Sequence, residues 1–69
     1  MRGERLKQAT QEIEKHAHYA HVADACREAL REDTPEAYKR AMEHVANHSG
    51  GGEYAVNVDR ARSALREDR

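Results

Sequence analysis

The hydrophobic and polar positions in the first half of the chain repeat with the period of an α-helix. Residues 4–32 consist mainly of Ala, Glu, Lys, Arg and Gln and contain no Gly or Pro, a composition that favours helix. The pattern predicts one long helix over residues 4–32, unbroken through the segment HAHYAH at 16–21. Thr34 and Pro35 then predict the start of a second helix, because Thr is a favoured N-cap and Pro suits the first helical position.

Two shorter helices are predicted after this one. The second covers residues 35–48 and carries apolar side chains at helical spacing: Tyr38, Ala41, Met42 and Val45. The glycine-rich segment 49–53 ends it and forms a connector, since Gly readily adopts the left-handed conformation that follows many helices. A third helix is predicted over residues 54–67. Its first residues also alternate as in a strand, but an unpaired strand would leave its backbone polar groups unsatisfied.

The predicted fold is all-α, a single domain of residues 1–69 in which a three-helix bundle is built on the long first helix. That helix presents two apolar stripes, rotated from each other by roughly 130°. The N-terminal stripe includes Leu6, Ala9 and Ile13, and the C-terminal stripe includes Tyr19, Val22, Cys26 and Leu30. The second helix is long enough to cover only the C-terminal stripe. The N-terminal stripe therefore needs cover from the third helix or from another chain, and the pattern leaves both open.

The composition predicts a small core. The chain has 69 residues with no Trp or Phe, and twelve of them are Ala, whose burial removes little area from water. This shortage favours a partner or a second copy that completes the fold. Cys26 is the only cysteine; we expect it to be a buried apolar residue in a reducing, cytoplasmic compartment. No apolar run approaches the roughly 20 residues of a membrane span.

Charge argues against nucleic acid as the partner. Charged residues make up 36% of the chain, but the net charge is −1, and no segment has the strong positive charge that nucleic-acid binding requires. Arg62 and Arg66 form a basic stripe on the last predicted helix, which Glu67 and Asp68 dilute. A nucleic-acid-binding regulator is therefore the third of the functions considered.

The histidines are the candidate metal ligands. On a continuous first helix, Glu14, His18 and His21 share one polar face, while His44 and His48 follow each other at i, i+4 on the second helix. Zinc needs three or four ligands around one point, and the long helix directs these two groups differently. The paired CxxC and HExxH patterns are also missing. We therefore expect His18 and His21 to be exposed and no dedicated cofactor, with zinc or another transition metal as the alternative.

The function predicted from the sequence is protein binding, as a regulator, inhibitor or assembly subunit, with another protein or a second copy in a homodimer as the partner. The alternative is a metal-responsive helical module that uses the histidines. Catalysis is not expected, because no acid–base pair can be assembled from the spacing of the residues. The predicted interface residues are Leu6, Ala9, Ile13, His16, Tyr54, Arg62 and Arg66.

Overall fold

Four α-helices form the part of the chain that the structure describes. This computed structural model describes residues 3–17, 19–47 and 53–67, without the side chains of residues 53 and 54. The helices are α1 (Glu4–Lys15), α2 (Ala20–Glu32), α3 (Pro35–Ala46) and α4 (Glu53–Glu67). The all-α prediction is confirmed, with four helices in the described ranges in place of the predicted three. The connector predicted at 49–53 lies outside them, except that Glu53 already belongs to α4.

The predicted long first helix is wrong, because the chain breaks between Lys15 and Ala20. The backbone N–H of His16 bonds to the carbonyls of Glu12 and Ile13 at 3.3 and 3.2 Å, which closes α1. Tyr19 is extended, with φ −116° and ψ 134°, and precedes α2 as its N-cap. Two stripes about 130° apart cannot both face one core from a straight helix. The break lets each half turn its own stripe inward.

The helices run alternately up and down. Gly3 and Pro35 meet where α1 and α3 begin, and a Cβ added at Gly3 would lie 3.0 Å from the Pro35 Cβ. Gly3 also has φ +87°, so its position favours glycine twice over. Among the described residues, α1 and α3 contact each other and both flanking helices, whereas α2 and α4 do not touch. The two helices that begin beside each other therefore form the centre of the bundle.

The N-terminal stripe is covered by the same chain. Leu6 is 1%, Ala9 2% and Ile13 0% exposed, because α2, α3 and α4 all pack on α1. The rest of the core comes from the other helices and includes Val22, Cys26, Tyr38, Met42, Val45, Val58 and Ala61. Of the two possibilities that the sequence left open, cover within the chain is the one observed.

The turn between α2 and α3 follows the predicted capping pattern. The Thr34 hydroxyl accepts a hydrogen bond from the Ala37 N–H at 3.1 Å, and Pro35 is the first residue of α3. Asp33 ends α2 in the left-handed conformation, with φ 55°. Its carboxylate accepts a hydrogen bond from the buried Tyr38 hydroxyl and lies 3.3 Å from the Lys7 ammonium. Asp33 therefore ties the turn to α3 and to α1.

These contacts shift two pKa values in opposite directions. The hydrogen bond from Tyr38, followed by the hydrogen bond and charge of Lys7, lowers the pKa of Asp33. Burial raises the pKa of Tyr38 to about 12, and the Asp33 carboxylate adds to that shift through its hydrogen bond and charge. Both shifts favour a neutral Tyr38 beside an ionised Asp33.

Replacing Ile13 with Ala should destabilise the monomer itself. Truncating a fully buried Ile costs about 2 to 5 kcal/mol, a large part of the roughly 3 to 10 kcal/mol expected for a domain of this size. Urea unfolding followed by circular dichroism measures the loss. The control is Gln11→Ala, at an exposed position of the same helix, which should stay within about 0.5 kcal/mol of the parent. Equal stability of the two variants would contradict this burial.

Acid should weaken the fold through Asp33. A lowered carboxyl pKa stabilises the folded state above the ordinary value near 4, and this stabilisation disappears as the pH falls through the folded-state pKa. The Asp33→Asn variant, which keeps a residue that tolerates positive φ, should therefore lose less stability than the parent on acidification below about pH 4. Urea midpoints at neutral and acid pH measure this, with the exposed Asp24→Asn as control. The same acid loss in parent and Asp33→Asn would refute the role.

Candidate functional site

The two ends of the bundle differ in charge. At one end α1 and α3 begin and α2 and α4 finish, and we call this the charged end. Two ion pairs lie at this end in addition to that of Lys7 with Asp33. The guanidinium of Arg5 is 2.6 Å from the Glu67 carboxylate, and that of Arg40 is 3.4 Å from the Glu32 carboxylate. All these side chains are largely exposed, so the pairs close the end of the bundle without a buried charge.

At the opposite end α1 and α3 finish and α2 and α4 begin. Three segments of the described chain meet there, from residues 16–23 (without 18), 44–47 and 55–58, and none of their described residues is Asp, Glu, Lys or Arg, although 36% of the chain is charged. In the sequence the charge-free runs extend over 16–23, 44–52 and 54–58, and Glu53 alone separates the last two. We call this surface the uncharged end and define it by its exposed, described residues: His16, Tyr19, Ala20, His21, His44, Asn47, Ala55 and Val56. The two ends of the bundle thus differ in charge, although Lys15 and Glu43 are exposed in the last turns of α1 and α3 next to this surface.

The uncharged end carries the exposed large hydrophobic side chains of the described residues. Tyr19 and Val56 are each 52% exposed. The side-chain amide of Asn57, itself 5% exposed, donates to the carbonyl oxygen of His16 at 3.4 Å. This bond holds the start of α4 against the end of α1, so Val56 and Tyr19 lie at the same end of the bundle.

His21 and His44 form a pair across α2 and α3 at this end. Their Nδ1 and Nε2 atoms are 3.3 Å apart, and the rings meet edge to face with centroids separated by 5.5 Å. The ring of Tyr19 lies 5.9 Å from that of His21. Both histidines are exposed. The structure therefore confirms the exposure predicted for His21, while His18 lies outside the described residues.

The expected arrangement of the metal candidates is corrected by the break in the first helix. A continuous helix would have kept His21 beside Glu14 and away from the histidines of the next helix. Instead α2 turns His21 toward His44. The Glu14 carboxylate accepts a hydrogen bond from the Arg27 guanidinium at 3.2 Å. No group of three ligand-type side chains comes together among the described residues, and His48 is not one of them. The described part of the chain thus brings together the imidazoles of His21 and His44.

The predicted interface residues divide into three groups. Leu6, Ala9 and Ile13 lie in the core, so they are not a surface for a partner. His16 is exposed at the uncharged end, whereas the side chain of Tyr54 lies outside the described residues. The other two interact within the chain: Arg62 donates to the carbonyl of Ala46 at 3.4 Å, and Arg66 to the Ser63 hydroxyl at 3.2 Å.

An open groove between α1 and α4 is the second surface feature. Its volume is about 320 Å³, and its lining is almost wholly polar: Arg5, Gln8, Ala9, Gln11, Glu12, Lys15 and Arg60. Ligand pockets are usually apolar with a few directed polar groups, and Arg5 is already paired with Glu67. The groove therefore does not have the apolar lining that distinguishes a typical ligand site.

Cys26 is part of the core, as the sequence predicts. Its side chain is 0% exposed. Burial, followed by the negative charge of Glu14, raises the pKa of its thiol to about 11. The thiolate is the reactive form of cysteine, so this environment suppresses reactivity.

Comparisons with protein-family models, with curated proteins and with solved structures found no match to this chain. In addition, no helix within the described ranges has the length and apolar character needed to cross a membrane. Function must therefore be argued from the uncharged end itself.

Folded protein should protect Cys26 from thiol reagents. At mildly alkaline pH a thiol with a pKa near 11 is almost entirely protonated, and burial also blocks access. We expect labelling by a disulfide reagent to be at least about 100-fold slower in buffer than in denaturing urea. The urea sample is the control for intrinsic reactivity. Rapid labelling of the native protein at the unfolded rate would show that Cys26 is accessible.

Proposed function

We propose that this protein is a small protein-interaction module that associates through its uncharged end, with a second copy of the chain as the partner. The observation that supports this best is the meeting of three charge-free segments at one end of a highly charged chain. The proposed activity is binding, through which such a module acts as a regulator, an inhibitor or an assembly subunit.

The composition of the uncharged end matches what the centre of an interface requires. Interface cores are depleted in charged residues and enriched in aromatic ones, Tyr among them. Tyr19 and Val56 provide exposed apolar area, and Ala20 and Ala55 allow close approach. The residues that define this surface carry no full charge, although the Arg62 guanidinium lies beside it on the carbonyl of Ala46. Covering the charged end would desolvate several charges.

A second copy is a suitable partner because the surface is compatible with itself. In a two-fold symmetric dimer the same patch of each subunit faces its counterpart. A patch without Asp, Glu, Lys or Arg meets its own image without repulsion between like charges. A standard interface takes about 800 Å² from each partner, roughly one sixth of the 4633 Å² that this chain exposes. Association would also add buried area to a small core.

A charge placed at the uncharged end should weaken this association. We expect the parent to show concentration-dependent dimers by light scattering in the presence of a chelator. Val56→Glu should raise the dissociation constant by at least about tenfold, since an unpaired carboxylate would lose hydration in the interface.

The matched control is Gln8→Glu, which adds the same charge at an exposed position on α1 away from the uncharged end. It should dissociate like the parent. Circular dichroism checks that both variants keep their helices. A parent that is monomeric at every concentration, or equal effects of the two substitutions, would overturn the proposed self-association.

A further inference from the structure

The distance between the two imidazoles of the uncharged end is the one that a shared metal ion requires. Zinc–nitrogen bonds of about 2.0–2.1 Å at the tetrahedral angle place two ligand nitrogens about 3.3–3.4 Å apart. The Nδ1 of His21 and the Nε2 of His44 are 3.3 Å apart. In the present geometry the two nitrogens face each other, so one ring must donate a proton to the other. A metal ion would take the place of this proton, which moves through solvent to the other nitrogen of its ring. Both rings then stay neutral, and both facing nitrogens offer a lone pair to the metal.

Little rearrangement separates the two geometries. Both side chains are exposed, and small rotations about their side-chain bonds turn the lone pairs from each other toward a common point. α2 and α3 hold the two backbones at this separation, since the helices pack together and Thr34 caps the turn that joins them. The Tyr19 ring beside His21 adds an apolar wall. The two histidines are therefore held in place by two helices that pack against each other.

We infer that His21 and His44 form half of a binding site for a divalent transition-metal ion, and that a second copy of the chain completes it with the same two residues. This inference rests on the proposed self-association, which brings two uncharged ends together. Two copies supply four neutral imidazoles, the number that a tetrahedral zinc site needs. The described residues of one chain supply two, since no third ligand-type side chain joins the pair among them.

The symmetry of a dimer makes this arrangement direct. A two-fold axis that passes beside the pair relates each imidazole to its copy, so one ion on the axis contacts both chains equally. Imidazole nitrogen is a preferred donor for zinc, copper and nickel, and a poor one for calcium or magnesium. The site should therefore select first-row transition metals, and zinc and cobalt(II) are the probes to use.

The inference is tested by adding zinc to metal-free full-length protein. Isothermal titration calorimetry should give one zinc ion per two chains, and light scattering should show a dimer at least about tenfold tighter than in chelator. Cobalt(II) should give the intense visible absorption of a four-coordinate site. His21→Ala and His44→Ala should each lower zinc affinity by more than about 100-fold, which exceeds the loss caused by removing an outer-shell partner of a metal ligand.

The control is Lys39→Ala, which removes an exposed side chain of α3 outside the uncharged end. It should bind zinc and dimerise like the parent. Equal urea midpoints for all three variants would show that loss of binding is not loss of folding. One zinc per chain without a change in mass, or an equal effect of Lys39→Ala, would overturn the shared site.

The outcomes also separate this inference from the proposed function. A parent that dimerises in chelator but ignores zinc supports the association and overturns the metal site. A parent that dimerises only with zinc, through His21 and His44, supports the metal site and overturns association by apolar contact alone. A parent that is monomeric under both conditions overturns both.

Discussion

The structure depends on one constraint, which is that both apolar stripes of residues 4–32 must face the same small core. A straight helix points these stripes in directions about 130° apart. In a longer protein, separate neighbours could bury each stripe. Here the remaining helices are short, and Ile13 and Cys26 are both fully buried only because α1 and α2 meet at an angle. The break at 16–19 is therefore a consequence of burial.

The candidate site follows from the same break. Once α2 folds back along α1, its first turn lies beside the last turn of α3, and His21 reaches His44. The start of α4 is fixed there as well, by the bond from Asn57 to the carbonyl of His16. The segments without formal charge thus converge because the topology brings alternate helix ends together. The break between α1 and α2 therefore has two results: both apolar stripes are buried in the core, and the charge-free segments lie together at one end.

Much of the fold could be predicted from the sequence, and the exceptions share one cause. The α2–α3 turn carries its signals locally, in Thr34 and Pro35, and the helical pattern of residues 54–67 resolves the strand alternative correctly. The break at 16–19 has no such local signal, because His, Ala and Tyr are tolerated in helices and only tertiary burial disfavours continuity. The pairing of His21 with His44 depends on that break, so it could not be derived either. The charge-free segments were visible in the sequence, but their convergence requires the topology.

The charged end explains why association would be directed to one end of the bundle. Its ion pairs are exposed, and such pairs contribute only about 0 to 1 kcal/mol each, so they account for little of the stability. Their larger effect is on contact with other molecules, since a partner approaching Arg5 and Glu67 must displace water from both charges. At the uncharged end, covering Tyr19 and Val56 removes apolar area from water without that penalty. A partner is therefore directed to the uncharged end for two reasons: this surface exposes apolar groups, and its residues carry no formal charge.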